Sequence, residues 1–275
     1  MRLDVLRSVP RGLISCCLGL ALLGSSAVLQ AGEQDEKEEG FIQLFDGKSL
    51  EGWHKNPEKI GHGTGGIWTV EDGSITGEQD PPGSGNGGIL LTDKKFGDFE
   101  LRLQLKPDWG ICSGLFVRSN DQGQCIQMMV DYHDAGNVGH IYGEGTGGFS
   151  NRAYNINGIY NDQKELTGLK AEPSGFESQS ESATPEQFVQ AWKVGEWNDC
   201  TVRVQGNPPT ITTWINGTKI SHFDGDTFDH PQYDKAKVAE QLGPEGSIAV
   251  QVHGGNYAWP NGAKCRWRKI RVKPL

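Results

Sequence analysis

The chain has 275 residues, 35% of them hydrophobic, with 39 glycines, 13 prolines and a formal net charge of −9. That length accommodates one large all-β domain with a sizeable core, and the modest apolar fraction suits sheets with one wet face better than a bundle of buried helices. The acidity argues against nucleic acid as a partner, because phosphate backbones are held by clustered Lys and Arg.

At the N-terminus, Arg2, Arg7 and Arg11 precede an apolar run from Leu13 to Leu23, and Ser25-Ser26-Ala27 or Leu29-Gln30-Ala31 offers small-residue cleavage. The pattern predicts a secretory signal peptide over residues 1–31 and a secreted or periplasmic protein. The apolar run is too short for a membrane span. Residues 32–40, "GEQDEKEEG", read as a charged tether, and one domain is expected over 41–275. Loss of residues 1–31 removes three arginines and one aspartate, moving the net charge from −9 to −11. Cys112, Cys125, Cys200 and Cys265 then remain, as up to two disulfides in three connectivities or as buried thiols, and Cys200 with Cys265 is the favoured pair if they bridge.

From Phe41 onward the apolar period is two. In "GIWTVEDGSITGE", residues 66–78, Trp68 and Val70 alternate toward a core, Asp72-Gly73 is a hairpin turn, and Ile75 resumes the alternation beyond it. Phe99, Leu101, Leu103 and Leu105 form the next apolar face, and Ile111, Ser113, Leu115 and Val117 the one after, with Cys112, Gly114, Phe116 and Arg118 opposite. Ile126, Met128 and Val130 alternate with Gln127, Met129 and Asp131. Residues 136–194 break the rhythm and read as a long irregular insertion, whose one helical signal is Pro185 to Trp192 behind a Thr184 cap. The rhythm returns with Val202 and Val204, then Ile211, Thr213 and Ile215, the Asn216-Gly217 turn, Ile248, Val250 and Val252, and last Ile270 and Val272. Short strands at regular spacing with Gly-rich turns predict an all-β fold, an antiparallel β-sandwich of jelly-roll or Greek-key type.

If the aliphatic set of each strand faces the core, then Arg118, Gln127, Asp131, Gln251 and His253 share the opposite face. An Arg, two amides and a His are groups that bond sugar hydroxyls. Trp109, Trp197 and Trp259, in Gly- or Pro-flanked loops, are the tryptophans placed to supply stacking surfaces. The partner this suggests is a carbohydrate. A retaining sandwich glycosidase needs two carboxylates, commonly as Glu-x-Asp-x-Glu on one strand, whereas the outward set here is Gln127, Met129 and Asp131. No Gly-x-Ser-x-Gly, His-Glu-x-x-His or phosphate-cradling loop is present, and "GTGG" at 63–66 and 145–148 lacks a strand-loop-helix context. "DYHDAGNVGH", residues 131–140, sets Asp131, His133, Asp134 and His140 close in sequence, either as ligands of a divalent metal ion or as a hydrogen-bonded loop.

Taken in order, "FIQLFDGKSLEGW", "GIWTVEDGSITGE", "FGDFELRLQLK", "SGLFVRSN", "GEWNDCTVRVQGNPPTITTWINGTKI", "GSIAVQVHG" and "CRWRKIRV" resemble the 3-keto-disaccharide hydrolase domain over about residues 41–273. The resemblance implies a concanavalin A-like sandwich acting on sugars already oxidised at C3. A C3 ketone acidifies the C2 proton, so the glycosidic bond can leave by elimination with water added afterwards, and the chemistry needs a base near C2 and donors for the enolate oxygen. Chemistry assigns His253 as that base, Arg118 to the enolate, and Gln127, Asp131 and Gln251 to hydroxyls. The segment 143–194 and "IQMMVDYHD" depart from the family pattern. A non-catalytic carbohydrate-binding module on the same fold, or a laminin-G-type adhesion domain, are the rival expectations.

Overall fold

The computed structural model describes residues 39–175, 181–257 and 259–275, so the expected signal peptide and nearly all of the tether lie outside the described residues. In chain order the elements are β1 (Ile42–Gln43), β2 (Trp53–Lys55), β3 (Ile67–Glu71), β4 (Ser74–Glu78), β5 (Gly88–Phe96), β6 (Phe99–Pro107), β7 (Gly114–Ser119), β8 (Cys125–Asp131) and β9 (Asn137–Glu144). They continue with β10 (Tyr154–Tyr160), β11 (Leu166–Pro173), α1 (Pro185–Ala191), β12 (Asn198–Gln205), β13 (Thr210–Ile215), β14 (Thr218–Asp224), α2 (Lys235–Leu242), β15 (Gly246–Val252) and β16 (Cys265–Pro274). No helix among the described residues is long and apolar enough to cross a membrane.

Two antiparallel sheets form the expected β-sandwich. One runs β14-β13-β12-β6-β16-β4-β3, with β1 also paired to β16, and the other runs β2-β5-β15-β7-β8-β9. The strand pleat decides what lies between them: Phe99, Leu101, Leu103 and Leu105 of β6 meet Leu115, Val117, Ile126, Met128, Val130, Val250 and Val252 from the second sheet in one buried core. On the other face of the six-stranded sheet, Ile89, Leu91, Phe116, Cys125 and Ala249 make a smaller cluster with Ile60 packed on it.

The two hairpin turns read from the sequence are both present. Asp72 and Gly73 have φ of 48° and 71°, and Asn216 and Gly217 have 48° and 81°, the positive values that match a two-residue turn to the twist of its strands. Trp68 is half-buried against the core and lies over Gly77, where an added Cβ would stand 2.6 Å from the indole. Its Nε1 donates to the Gly65 carbonyl at 2.6 Å, and its ring meets Trp267 at 5.9 Å. The hairpin is scaffold.

Two expectations are corrected. Residues 143–194 are not irregular: they hold the end of β9, the separate hairpin β10-β11 and helix α1. The hairpin escaped the periodic reading because only Tyr154, Ile156 and Leu169 of its two strands are buried, the rest being polar or partly exposed. Helix α1 starts where its signals place it, with Thr184 and Gln187 forming a reciprocal capping box and Pro185 in the first turn. The second correction concerns cysteine. Cys112, Cys125, Cys200 and Cys265 are all free, and Cys200 packs against the Met128 sulfur at 3.6 Å instead of reaching Cys265.

Candidate active site

A cavity of about 440 Å³ opens on the face of the six-stranded sheet that turns away from the core. The pleat that buries Ile126, Met128 and Val130 sends Gln127, Met129 and Asp131 of β8 into this cavity, and the same alternation presents Gln251 at the end of β15 and His253 just beyond it. The structure therefore brings together four of the expected residues. Tyr142 and Glu144 of β9, Cys112, and Arg152 from the following loop complete much of the wall.

Gln127 and Gln251 are both buried, and both are half-satisfied. Gln127 Nε2 donates to Glu144 Oε2 at 3.1 Å, and Gln251 Nε2 lies 3.1 Å from His62 Nε2. Their carbonyl oxygens, Gln127 Oε1 and Gln251 Oε1, have no partner although both are buried. Both oxygens are shielded, Gln127 Oε1 against the Gly114 backbone, so each amide meets a ligand in the cavity only by turning its oxygen toward it. Gly114 makes the geometry possible: a Cβ there would sit 1.8 Å from Gln127 Oε1.

His253 Nδ1 lies against the Gly254 carbonyl at 2.5 Å, which makes Nδ1 the donor and leaves Nε2 with its lone pair. Burial, followed by the charge of His62, lowers its pKa from the ordinary 6.5, while the Gly254 carbonyl, Glu144 and Asp131 pull the other way without prevailing. The imidazole is thus held neutral and able to accept a proton. His62 meets it edge to face at 4.9 Å and places Nε2 3.6 Å from Glu144 Oε1. Burial raises the Asp131 carboxyl, against the opposing Cys112 Sγ bond of 3.0 Å and the charges of His133, His253 and Arg152. Arg152 donates through Nη2 to the Ala135 carbonyl and Asn155 Oδ1, and its buried Nε is without a partner.

Arg118 is not in this cavity. Its Nη2 donates to the Gly206 carbonyl at 2.7 Å and to Asp98 at 3.2 Å, remote from His253 in the strand pairing. The alternation fails there because Val117 and Arg118 bulge against β15, with Arg118 at φ 53° packed on Gly246. The three loop tryptophans also do other work. Trp109 packs edge to face on Tyr132 and donates to Tyr160 Oη at 2.7 Å, Trp197 lies under Arg268 of the opposite sheet at 4.2 Å, and buried Trp259 donates to the Ala263 carbonyl at 2.6 Å.

The residues grouped as metal candidates divide. Asp131 and His133 stay together and gain Cys112, their three donor atoms lying within 4.8 Å of one another. Asp134 spends its carboxylate on the Gly158 N–H at 2.8 Å and Tyr160 Oη at 3.0 Å. His140 is wholly buried against Tyr154, and burial, helped by the Arg152 charge, drives its pKa down to about 3.

His62, Glu144 and Arg152 were missed from the sequence. His62 stands beside the first "GTGG" and Gly148 of the second lines the cavity, so both glycine loops border the site. Glu144 lies opposite Cys125, on the cavity side of β9, and supplies the second carboxylate that β8 alone lacks.

Residues 40–273 match the family model described as the 3-keto-alpha-glucoside-1,2-lyase-like domain. The 3-keto-disaccharide hydrolase of Bacteroides thetaiotaomicron is 35% identical over 107 residues, a match that spans 35% of this chain and only 35% of that relative. A candidate glycosyl hydrolase from Parabacteroides distasonis ATCC 8503 superposes with a TM-score of 0.51 at 21% identity, over 86% of this chain and 99% of that one, which shows a shared fold. A Bacillus licheniformis beta-glucanase aligns with a TM-score of 0.46 at 14% identity, over 86% of this chain and 99% of its own.

Proposed function

The chain belongs to the 3-keto-alpha-glucoside-1,2-lyase-like family, and from that premise we propose that the cavity cleaves glycosides already oxidised at C3. The observation that carries this reading is a neutral histidine on the cavity wall, its Nδ1 committed to the Gly254 carbonyl and its Nε2 left with a lone pair, beside the amides of Gln127 and Gln251. Gln127 and Gln251 turn their amides toward sugar hydroxyls. His253 Nε2 takes the C2 proton, the C–H electron pair forms the C2–C3 enolate, and the charge on the C3 oxygen falls to Arg152 in place of Arg118. The enolate then expels the C1 substituent, whose oxygen takes the proton held by the His253 imidazolium, directly or through water, which returns the base to its neutral form. Addition of water across the resulting enone completes a net hydrolysis, and release before that step makes the enzyme a lyase. Export, expected from residues 1–31, belongs to the same proposal and is tested by cell fractionation with N-terminal sequencing of the recovered protein.

The test is incubation with a 3-keto-disaccharide and, in parallel, with its unoxidised parent, following release of monosaccharide. Cleavage of the oxidised sugar alone, slowed by deuterium at C2, is the expected result. Equal cleavage of the parent would assign the chemistry to Asp131 and Glu144 as an ordinary glycosidase pair. Binding of both sugars with turnover of neither would make the domain a carbohydrate-binding module.

A further inference from the structure

We propose that Cys112, Asp131 and His133 bind a divalent transition-metal ion of zinc type in the cavity wall. The backbone brings the three together. Tyr132 and Ile111 pair across adjacent strand ends, with Tyr132 N–H donating to the Ile111 carbonyl at 2.8 Å and Gly110 N–H to the Tyr132 carbonyl at 2.8 Å. Residues 131 and 133 flank Tyr132 and so project to the side opposite its buried ring, where Cys112 Sγ meets Asp131 Oδ1 at 3.0 Å. The three donor atoms lie within 4.8 Å of one another, and a tetrahedral ion with metal–ligand bonds of about 2.0–2.3 Å needs them roughly 3.5 Å apart, a side-chain adjustment of about 1 Å.

The donor set selects the ion. Thiolate with imidazole and carboxylate favours zinc, cobalt and their neighbours over magnesium or calcium, which take oxygen. His133 is oriented for ligation, since its Nδ1 donates to the Asp134 carbonyl at 2.8 Å and leaves the Nε2 lone pair available, the second-sphere arrangement usual for metal-bound histidine. On binding, the Cys112 S–H bond breaks, its proton goes to solvent, and a sulfur–metal bond replaces the hydrogen bond to Asp131. Binding a divalent ion with loss of the thiol proton takes the site from −1 to neutral, so no net positive charge accumulates beside Arg152 and His253, which face the same carboxylate. Cys112 and Asp131 line the cavity, so the fourth position faces its interior and holds water or a sugar oxygen.

The probe is Co²⁺ added to chelator-treated full-length protein, read by absorption. One equivalent is expected to produce a near-ultraviolet thiolate-to-cobalt charge-transfer band, which Cys112→Ser abolishes with an unchanged melting curve. His133→Ala is expected to weaken Co²⁺ binding by at least roughly tenfold. No thiolate band at saturating Co²⁺, or a band that survives in Cys112→Ser, overturns the site. Should Cys112→Ser fail to fold, unchanged Co²⁺ affinity in His133→Ala overturns it instead, and none of these readouts depends on turnover.

Discussion

Replacing Gln251 by Met should move stability and sugar binding in opposite directions. The side chain is buried and ends in a carbonyl oxygen without a partner, while its amide nitrogen reaches His62 at 3.1 Å. An unpartnered buried polar atom costs about 1–3 kcal/mol, and a neutral hydrogen bond contributes about 1 kcal/mol net. Methionine has a similar length, so no cavity opens, and the difference is a stabilisation of roughly 0 to 2 kcal/mol in the sugar-free protein. For a domain of this size that raises Tm by up to roughly 6 °C. The same substitution removes an acceptor for a sugar hydroxyl, and a loss of about 1.4 kcal/mol weakens binding roughly tenfold. Scanning calorimetry of the free protein and titration with a slowly turned-over 3-keto-glycoside measure the two halves. A fall in Tm of several degrees together with an unchanged Kd would refute the reasoning, because it would mean that the Gln251 amide secures the fold and its oxygen meets no ligand.

His253→Ala is expected to lower turnover by roughly 10² or more while the protein remains folded. In the wild type, burial and His62 hold the imidazole below the ordinary 6.5, and catalysis needs its neutral form. The pH profile of kcat/KM should therefore be full above that depressed pKa and be lost as pH falls through it; a profile rising only above 6.5 would exclude this histidine as the base. Arg152→Lys should reduce kcat/KM by about tenfold, because a point charge does not reproduce the guanidinium fork. Arg118→Met, acting on the contacts to Gly206 and Asp98, should show its effect in denaturant unfolding, at roughly 1–3 kcal/mol. Trp68→Ala should cost about 3 kcal/mol, the low end for a large aromatic since the ring is half-buried, and normal unfolding with lost sugar binding would transfer the β3-β4 hairpin from scaffold to site.

The period-two pattern carried the sandwich and half of the cavity for one physical reason: a pleated strand cannot bury Met128 and Val130 without turning Gln127 and Asp131 the other way. The same logic placed Gln251 with them. It misplaced Arg118 because a bulge between β7 and β15 consumes an extra residue, and nothing in "SGLFVRSN" marks one. Glu144 was hidden by β9, whose pairing with β8 shifts register near Gly139 and whose glycines blur any alternation. His62 and Arg152 arrive from loops, where sequence spacing says little about position. The tryptophans misled by their Gly and Pro neighbours; each of the three is instead committed to a partner, Tyr160, Arg268 or the Ala263 carbonyl.

Gly114 has a consequence for how this site can diverge. Met129 of β8 can be exchanged while Met128 and Val130 hold the core, but the carbonyl of Gln127 occupies the space where a methyl group at 114 of β7 would stand. Residues 114 and 127 are therefore one inherited unit across two strands. A lineage that gains a side chain at 114 must give up the glutamine's present rotamer in the same step, and one that keeps Gln127 keeps a bare backbone beside it. Within a set of relatives that have drifted in substrate, the two positions should change together or not at all, while Met129, on the same floor, varies freely.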